Sequence, residues 1–372
     1  MDAKITKKRL NILLSYDWIK ILLTAAAAIL VWSLLFTMTA TRVTQAQNFT
    51  IFNYTGTSVT SRFNSYENLL KSNGVFSYDV LEITPTDVTT GNEYSETLVQ
   101  TRVSTGEGDA LFAANVDLGV ETEYSRPDGT TFHPTYLEQF LYNYFNTAED
   151  LGEGGYFDDM AAYLNTYYYG DYTKGEADEQ KIESDFLARI KKLNDKRFKT
   201  SQEKREGFQQ EKERLEKQRT ALISFLGYLD AGYVELQETT LYFQDADGNP
   251  VEKTGYYSIN LCPDERMSDL KNDVFYSKTV EGESGEVRVS TAEDICLVLL
   301  NVAEDKYQYA RFEGLSFVNY LIETHCSALQ ENWRNLPPCG GFFRPFGVFP
   351  VRIRALFESF SEFFCFSALS GF

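Results

Sequence analysis

The hydrophobic pattern changes character several times along the chain. From Trp18 to Met38 the residues are almost continuously apolar, with no charge after Lys20. About 18 to 20 such residues cross a bilayer, so residues 18–40 are expected to form a transmembrane helix. Asn48 to Tyr54 is β-branched and aromatic and ends at Thr55-Gly-Thr-Ser, which reads as a strand. Val59, Phe63, Tyr66, Leu69 and Leu70 then follow helical spacing, closed by Asn73-Gly74. Phe76 to Ile83 alternates and stops before Pro85, a second strand. A polar segment, 91–103, predicts a second helix, and the continuously apolar Ala110 to Ala113 predicts a buried third strand. Strand, helix, strand, helix, strand in this order is half of a doubly wound parallel sheet.

Farther on, aromatic helices are expected over 134–145 and 156–169. Residues 176–227 are dense in Lys, Glu and Gln. Their apolar positions are Ile182, Phe186, Ile190 and Leu193, then Phe208, Leu215 and Leu222, the last three seven apart. One helix of that length would span about 78 Å; a hairpin broken near Thr200 or Gly207 fits equally well. An arm packed on the body is expected in preference to a partner-binding coiled coil. Residues 238–244 and 251–261 predict strand, turn, strand. Ser290-Thr-Ala-Glu293 has the capping-box pattern and predicts a helix through Leu300, with another over 304–324. The end of the chain, 336–372, holds ten Phe and four Pro. It packs into the body, lies on a membrane surface, or is not a fold element.

Charge sharpens the first segment. The chain carries a net −19, yet six basic residues face only Asp2 and Asp17 up to Gln45, leaving about −23 for the rest. That acidity argues against nucleic acid, whose phosphates need a basic face. Basic residues before the apolar run place the N-terminus (1–17) in the cytoplasm and the bulk of the chain outside. The run is too long for the apolar region of a cleaved signal peptide, so an uncleaved anchor at the cell membrane is expected. Five cysteines, none before Cys262, form no CxxC pair and assign no disulfide framework.

Candidate chemistry is sparse. No HExxH, GxSxG or P-loop pattern occurs. The two histidines, His133 and His325, stand at expected helix ends and read as caps or surface residues. Asp245, Asp247 and Asn249 alternate, but the glycine sits at the fourth rather than the sixth position and no glutamate occupies the twelfth, so a hairpin tip is expected rather than calcium. Asp158-Asp159 reads as a dipole partner at a helix start. Gly106-Glu-Gly-Asp109 precedes its strand and lacks a lysine, which excludes a phosphate loop. It reads as a tight turn into the strand. No enzyme, cofactor or metal is expected.

The ordered elements of 48–113, with Ser104-Thr-Gly-Glu-Gly-Asp-Ala-Leu-Phe112 at the helix-to-strand turn, resemble the first lobe of the extracellular solute-binding proteins of ABC importers. There a helix ends in a small-Gly-x-Gly/Pro-Asp-hydrophobic turn. Tyr156 to Leu164 is similar to that family's crossing helix, and Gly255-Tyr-Tyr-Ser-Ile-Asn-Leu261 to its Gly-x-x-Tyr-Gly-Ile-Pro strand. The resemblance covers about 48–165 and, more weakly, 250–325. It implies an α/β fold of periplasmic-binding-protein-like parallel-sheet lobes: a first lobe at 48–170, a helical arm at 171–228 and a smaller second lobe at 229–335. It also implies capture of a sugar, amino acid or peptide without chemistry, and a membrane transporter as partner. The ligand would sit at the carboxyl ends of the strands, on Thr57, Ser58, Ala114, Asn115 and Tyr257. The other reading is a non-binding interaction subunit that docks a membrane partner through the 176–227 arm. An open aromatic-lined cleft favours the first reading; a filled one favours the second.

Overall fold

The computed structural model describes residues 18–39, 43–89, 94–117, 123–126, 129–144, 147–244, 250–282, 285–301, 311–327 and 329. The 245–249 turn, Trp333, Cys339, Cys365 and the Phe-rich tail lie outside these residues. Met1–Thr44 and Gln45–Phe372 are two separate compact units.

In the first unit, helix α1 (Trp18–Thr39, 22 residues) is long and apolar enough to cross a membrane. Its length is about 33 Å at 1.5 Å per residue, against a hydrocarbon core of about 30 Å. Its side chains from Trp18 to Leu35 are all exposed, as suits an anchor rather than a core helix.

The second unit is mixed α/β. Its elements are β1 (Asn48–Asn53), β2 (Ser58–Val59), α2 (Tyr66–Ser72), β3 (Glu82–Asp87), α3 (Ser95–Ser104), β4 (Ala110–Ala114), β5 (Tyr124–Ser125), β6 (Thr131–Phe132), α4 (Tyr136–Tyr144), α5 (Tyr156–Asn165), α6 (Glu179–Leu193), α7 (Ser201–Asp230), β7 (Glu235–Gln244), β8 (Pro250–Asn260), β9 (Val274–Gly282), β10 (Gly285–Thr291), β11 (Ile295–Leu299) and α8 (Arg311–His325). The main sheet has six strands in the order β3-β1-β4-β11-β8-β7. Strands β3, β1 and β4 are parallel, as their sequence pattern requires; β11, β8 and β7 join antiparallel.

Alternation along the central strands sends side chains to two cores. Phe49, Ile51, Ala110, Phe112, Ile295 and Leu297 face one cluster with Leu222, Phe225, Phe317 and Leu321 of α7 and α8. Phe52, Leu111, Ala113, Cys296 and Val298 face the other, with Val99 of α3 and Phe140 of α4. Because β4 and β11 are buried on both sides, they read as unbroken apolar runs.

Several sequence expectations require correction. Residues 290–300 are not a helix. Thr291 Oγ1 accepts a hydrogen bond from Glu293 N at 3.1 Å, closing a tight turn in which Asp294 takes φ +55°. The Ser/Thr-x-x-Glu pattern therefore serves a turn, and the Ile-Cys-Leu-Val-Leu run after it is a central strand. The second strand begins at Glu82 rather than Phe76 and runs through Pro85. It lies at the sheet edge, where a missing N–H is tolerated, and residues 76–81 are freed to bind the helical arm. The helix expected at 58–72 is shorter, because Ser58 and Val59 pair with Phe275 and Val274. The strands of 48–114 and 235–299 share one sheet, so the two-lobe division is not visible in it.

The arm is a hairpin. Asn194 ends α6 in the left-handed region, and Thr200 opens α7 with a full capping box to Glu203. Leu215 and Leu222 are buried in the body and Phe208 packs against it, so the heptad stripe faces inward. A charge network holds the junction. Arg189 bonds Glu211 at 2.6 Å and Asp79 at 3.2 Å, Arg197 bonds Asp79 at 2.8 Å, and Tyr78 Oη donates to Glu211 at 2.9 Å. Burial alone would raise the Glu211 pKa; Arg214, then Arg189, holds it below its ordinary value.

Candidate functional site

The carboxyl ends of β1 and β4 were the expected ligand position, and side chains fill them. Thr57 is buried, its Oγ1 2.6 Å from both Asn53 Oδ1 and the Tyr54 carbonyl. Asn53 Nδ2 donates to Asp87 Oδ1 at 3.1 Å, and Asp87 also accepts from Thr89. The Tyr136 ring lies over Gly56, where a Cβ would come within 2.4 Å of it. Ala114 is fully buried at the end of β4, and Asn115 N donates to the Asp294 carbonyl at 2.8 Å. These two residues and the Thr57 turn leave neighbouring strands, since Tyr54 N bonds the Phe112 carbonyl. Ser58 is exposed on β2, in a different sheet. Tyr257 is buried on β8, two strands away from β4, in the second core. Among the described residues, the groove between α7 and α8 is lined by none of the five.

The Gly106-Glu-Gly-Asp109 turn performs the structural role expected of it. Asp109 Oδ2 accepts from Thr50 N at 2.8 Å, tying the start of β4 to β1. Gly106 and Gly108 have φ +77° and +130°.

A groove of about 520 Å³ lies between α7 and α8, lined also by Asn73 and Val75. Why α7 and α8 leave a groove is legible in their residue sizes. Ala221 and Ser224 on α7 and Ser316 on α8 line it with short side chains, and Asn319 of α8 reaches across to α7. Beyond them the rim is polar, with Glu213, Glu216 and Thr220 on α7 and Tyr320, Glu323 and Thr324 on α8.

Asn319 is the most informative residue here. Its Nδ2 donates to the Ala221 carbonyl at 2.9 Å, which orients the amide. Its Oδ1 is buried without a hydrogen-bond partner, although the residue is only 7% exposed. Lys217 Nζ donates to the Gly74 and Phe76 carbonyls at 2.5 and 2.8 Å. Burial lowers the Lys217 pKa, opposed by Glu313 and Glu213. Glu216 is held by Arg219 at 2.7 Å and by Tyr168 Oη at 3.3 Å, and Glu323 accepts from Tyr228 Oη at 3.3 Å.

A second polar cluster is internal. Asp273, fully buried, accepts from Tyr66 Oη at 2.8 Å, lies 2.8 Å from His325 Nε2, and meets Arg62 Nε at 3.0 Å. Burial, then the Asp273 charge, raises the Tyr66 pKa, so the phenol stays a donor. His325, expected as a cap or surface residue at a helix end, does end α8 but is buried in the core. His133 is exposed, 4.0 Å from Glu123. Glu313 is also buried and accepts from Ser77 N and Oγ; its pKa is raised by burial. Cys262, Cys296 and Cys326 are buried free thiols, and burial pushes Cys262 and Cys296 up to about 12.

Sequence reasoning missed the groove. Its signal was faint: small residues at Ala221 and Ser224 inside an otherwise long-side-chained helix. No protein-family model, no curated protein and no solved structure matches this chain.

Proposed function

We propose that this chain is a membrane-anchored, extracytoplasmic, solute-binding-like protein that captures a small polar ligand, without chemistry, in the groove between α7 and α8. One observation carries the reading: a groove of about 520 Å³ between α7 and α8, lined by hydroxyl, amide and carboxylate side chains. Such sites commonly enclose about 300–1,000 Å³ and fix their ligand through a few convergent polar groups. The groove's volume and its hydroxyl, amide and carboxylate lining agree with that description. Helix α1 supplies the anchor, and the basic residues before it favour a cytoplasmic N-terminus. The likeness to solute-binding proteins of ABC importers is retained here as part of the proposal, supported by the parallel β3-β1-β4 unit with helices on both faces. A transporter is the partner it implies. The strand-end position on Thr57, Ser58, Ala114, Asn115 and Tyr257 is replaced by the groove.

The test uses the full chain in nanodiscs of zwitterionic lipid. Thermal shift against sugars, amino acids, amines and short peptides should yield at least one class that raises Tm. Thr220→Trp and Ser316→Trp, which fill the groove from opposite helices, should each abolish that shift. A shift that survives both fillings would refute the groove as the site.

The second reading, an interaction subunit without a ligand, is favoured by the filled strand ends. Its docking surface would be the outer charged face of α6 and α7, since the arm's apolar stripe is already buried. A screen with no thermal shift in any class would favour it.

A further inference from the structure

The three-stranded sheet runs β10-β9-β2, so β10 (Gly285–Thr291) is an edge strand. Among the described residues, the backbone of Glu286 to Ser290 hydrogen-bonds only to β9. Such an edge accepts a further strand unless charge, proline or a covering element blocks it. β10 has no proline, and Glu286, Val287, Arg288 and Ser290 are exposed. Its own ladder leaves two charges badly placed. Glu286 stands directly opposite Glu281, a destabilising like-charge pair, and Arg288 stands opposite Thr279. Among the described residues, neither Glu286 nor Arg288 makes an ion pair. On the other face Val287, 48% exposed, lies opposite the half-buried Val280.

We propose that β10 is the seam of a homodimer, in which β10 of a second copy adds antiparallel about a two-fold axis at Val287. That register sets Val287 against its own equivalent. Glu286 then meets Arg288 of the second copy, and Arg288 meets Glu286 of the second copy. Each badly placed charge gains an opposite one across the ladder, which stabilises strand pairs. On the other face Val280 and Val287 continue into the same two residues of the second copy, one apolar stripe across four strands. Charge also specifies the register. A slip of two residues either way sets Glu286 against Glu286 or Arg288 against Arg288, and a slip of one moves the valines to the wrong face. The contact uses the same patch on both copies, so it closes at two and removes both free edges.

Disulfide trapping tests the seam in the full chain in detergent micelles, with Cys339→Ser and Cys365→Ser as the background. Val287→Cys should be trapped as a dimer under mild oxidation. Directly opposed Cα atoms lie about 4.5–5.5 Å apart, within disulfide reach. Ser290→Cys is exposed too, but its equivalent lies six residues away along the strand, about 20 Å. It should be trapped at least tenfold more slowly. Adding Glu286→Arg or Arg288→Glu to Val287→Cys sets like charges across the seam and should slow trapping at least tenfold. Mixing the two singly reversed chains, or joining both reversals in one chain, should restore it. The Tm of each variant establishes that it is folded. Equal trapping at 287 and 290, or trapping at 287 that the single reversals leave unaltered, would overturn the inference. Failure of the mixed chains to recover would overturn it as well.

Discussion

Asp273→Ala is expected to destabilise the body by about 3–5 kcal/mol, seen as a lower urea midpoint at unchanged slope. Asp273 is fully buried, and one carboxylate oxygen serves both Tyr66 Oη and His325 Nε2 at 2.8 Å. Removing it strands a phenol and an imidazole in the core and opens a cavity beside them. Breaking a buried charged network from one side costs roughly that amount, whereas the loss of one exposed ion pair costs about 0–1 kcal/mol. Arg62→Ala supplies the contrast, since Arg62 is 42% exposed while it pairs with the same aspartate. It should cost no more than about 1 kcal/mol. Equal midpoints for the two variants would show that the network is not what ties the 58–66 segment to β9 and the end of α8.

The second large effect belongs to Gly108. A Cβ there would sit 2.8 Å from Phe52 Cε2 and 2.9 Å from Leu300 Cδ1, on a backbone at φ +130°. Gly108→Val combines conformational strain of about 1–3 kcal/mol with overpacking of similar size. A total of about 2–6 kcal/mol follows. Gly74, at φ +58° with nothing within 4 Å, isolates the backbone part. Gly74→Ala should cost about 1 kcal/mol, at the low end of that strain. Thermal unfolding of both variants measures the difference; similar losses would mean that Phe52 and Leu300 yield freely.

The glycine turn also marks how much was legible in the sequence. Local rules were enough wherever one short-range pattern decided the outcome. The apolar run of α1 and the strands β1 and β4 are of this kind, whereas the arm fitted one helix or a hairpin broken near Thr200 or Gly207 equally well. The turn at Gly106 to Asp109, whose aspartate binds β1 rather than a ligand, was also legible. The failures have a common cause in tertiary context. Ser290 to Glu293 is a valid helix signal, but the five residues after it are buried on both faces of a sheet between β4 and β8. Pro85 is a valid strand breaker only inside a sheet, and β3 is at the edge. The five expected site residues are dispersed for a related reason. Strand ends predict where a crevice can form, yet whether Tyr136 closes over Gly56 depends on the path of α4, which no local pattern encodes. The groove needs two helices about a hundred residues apart, a pairing that no local pattern encodes.

The claim that the groove between α7 and α8 holds the ligand is tested most directly by hydrogen exchange. The full chain in nanodiscs would be measured with and without the tightest-binding probe. The account predicts new protection concentrated in 213–224 and 316–324, with the strand ends at 53–58 and 114–116 unchanged. Protection at the strand ends, with exchange in α7 and α8 unaltered, would contradict it.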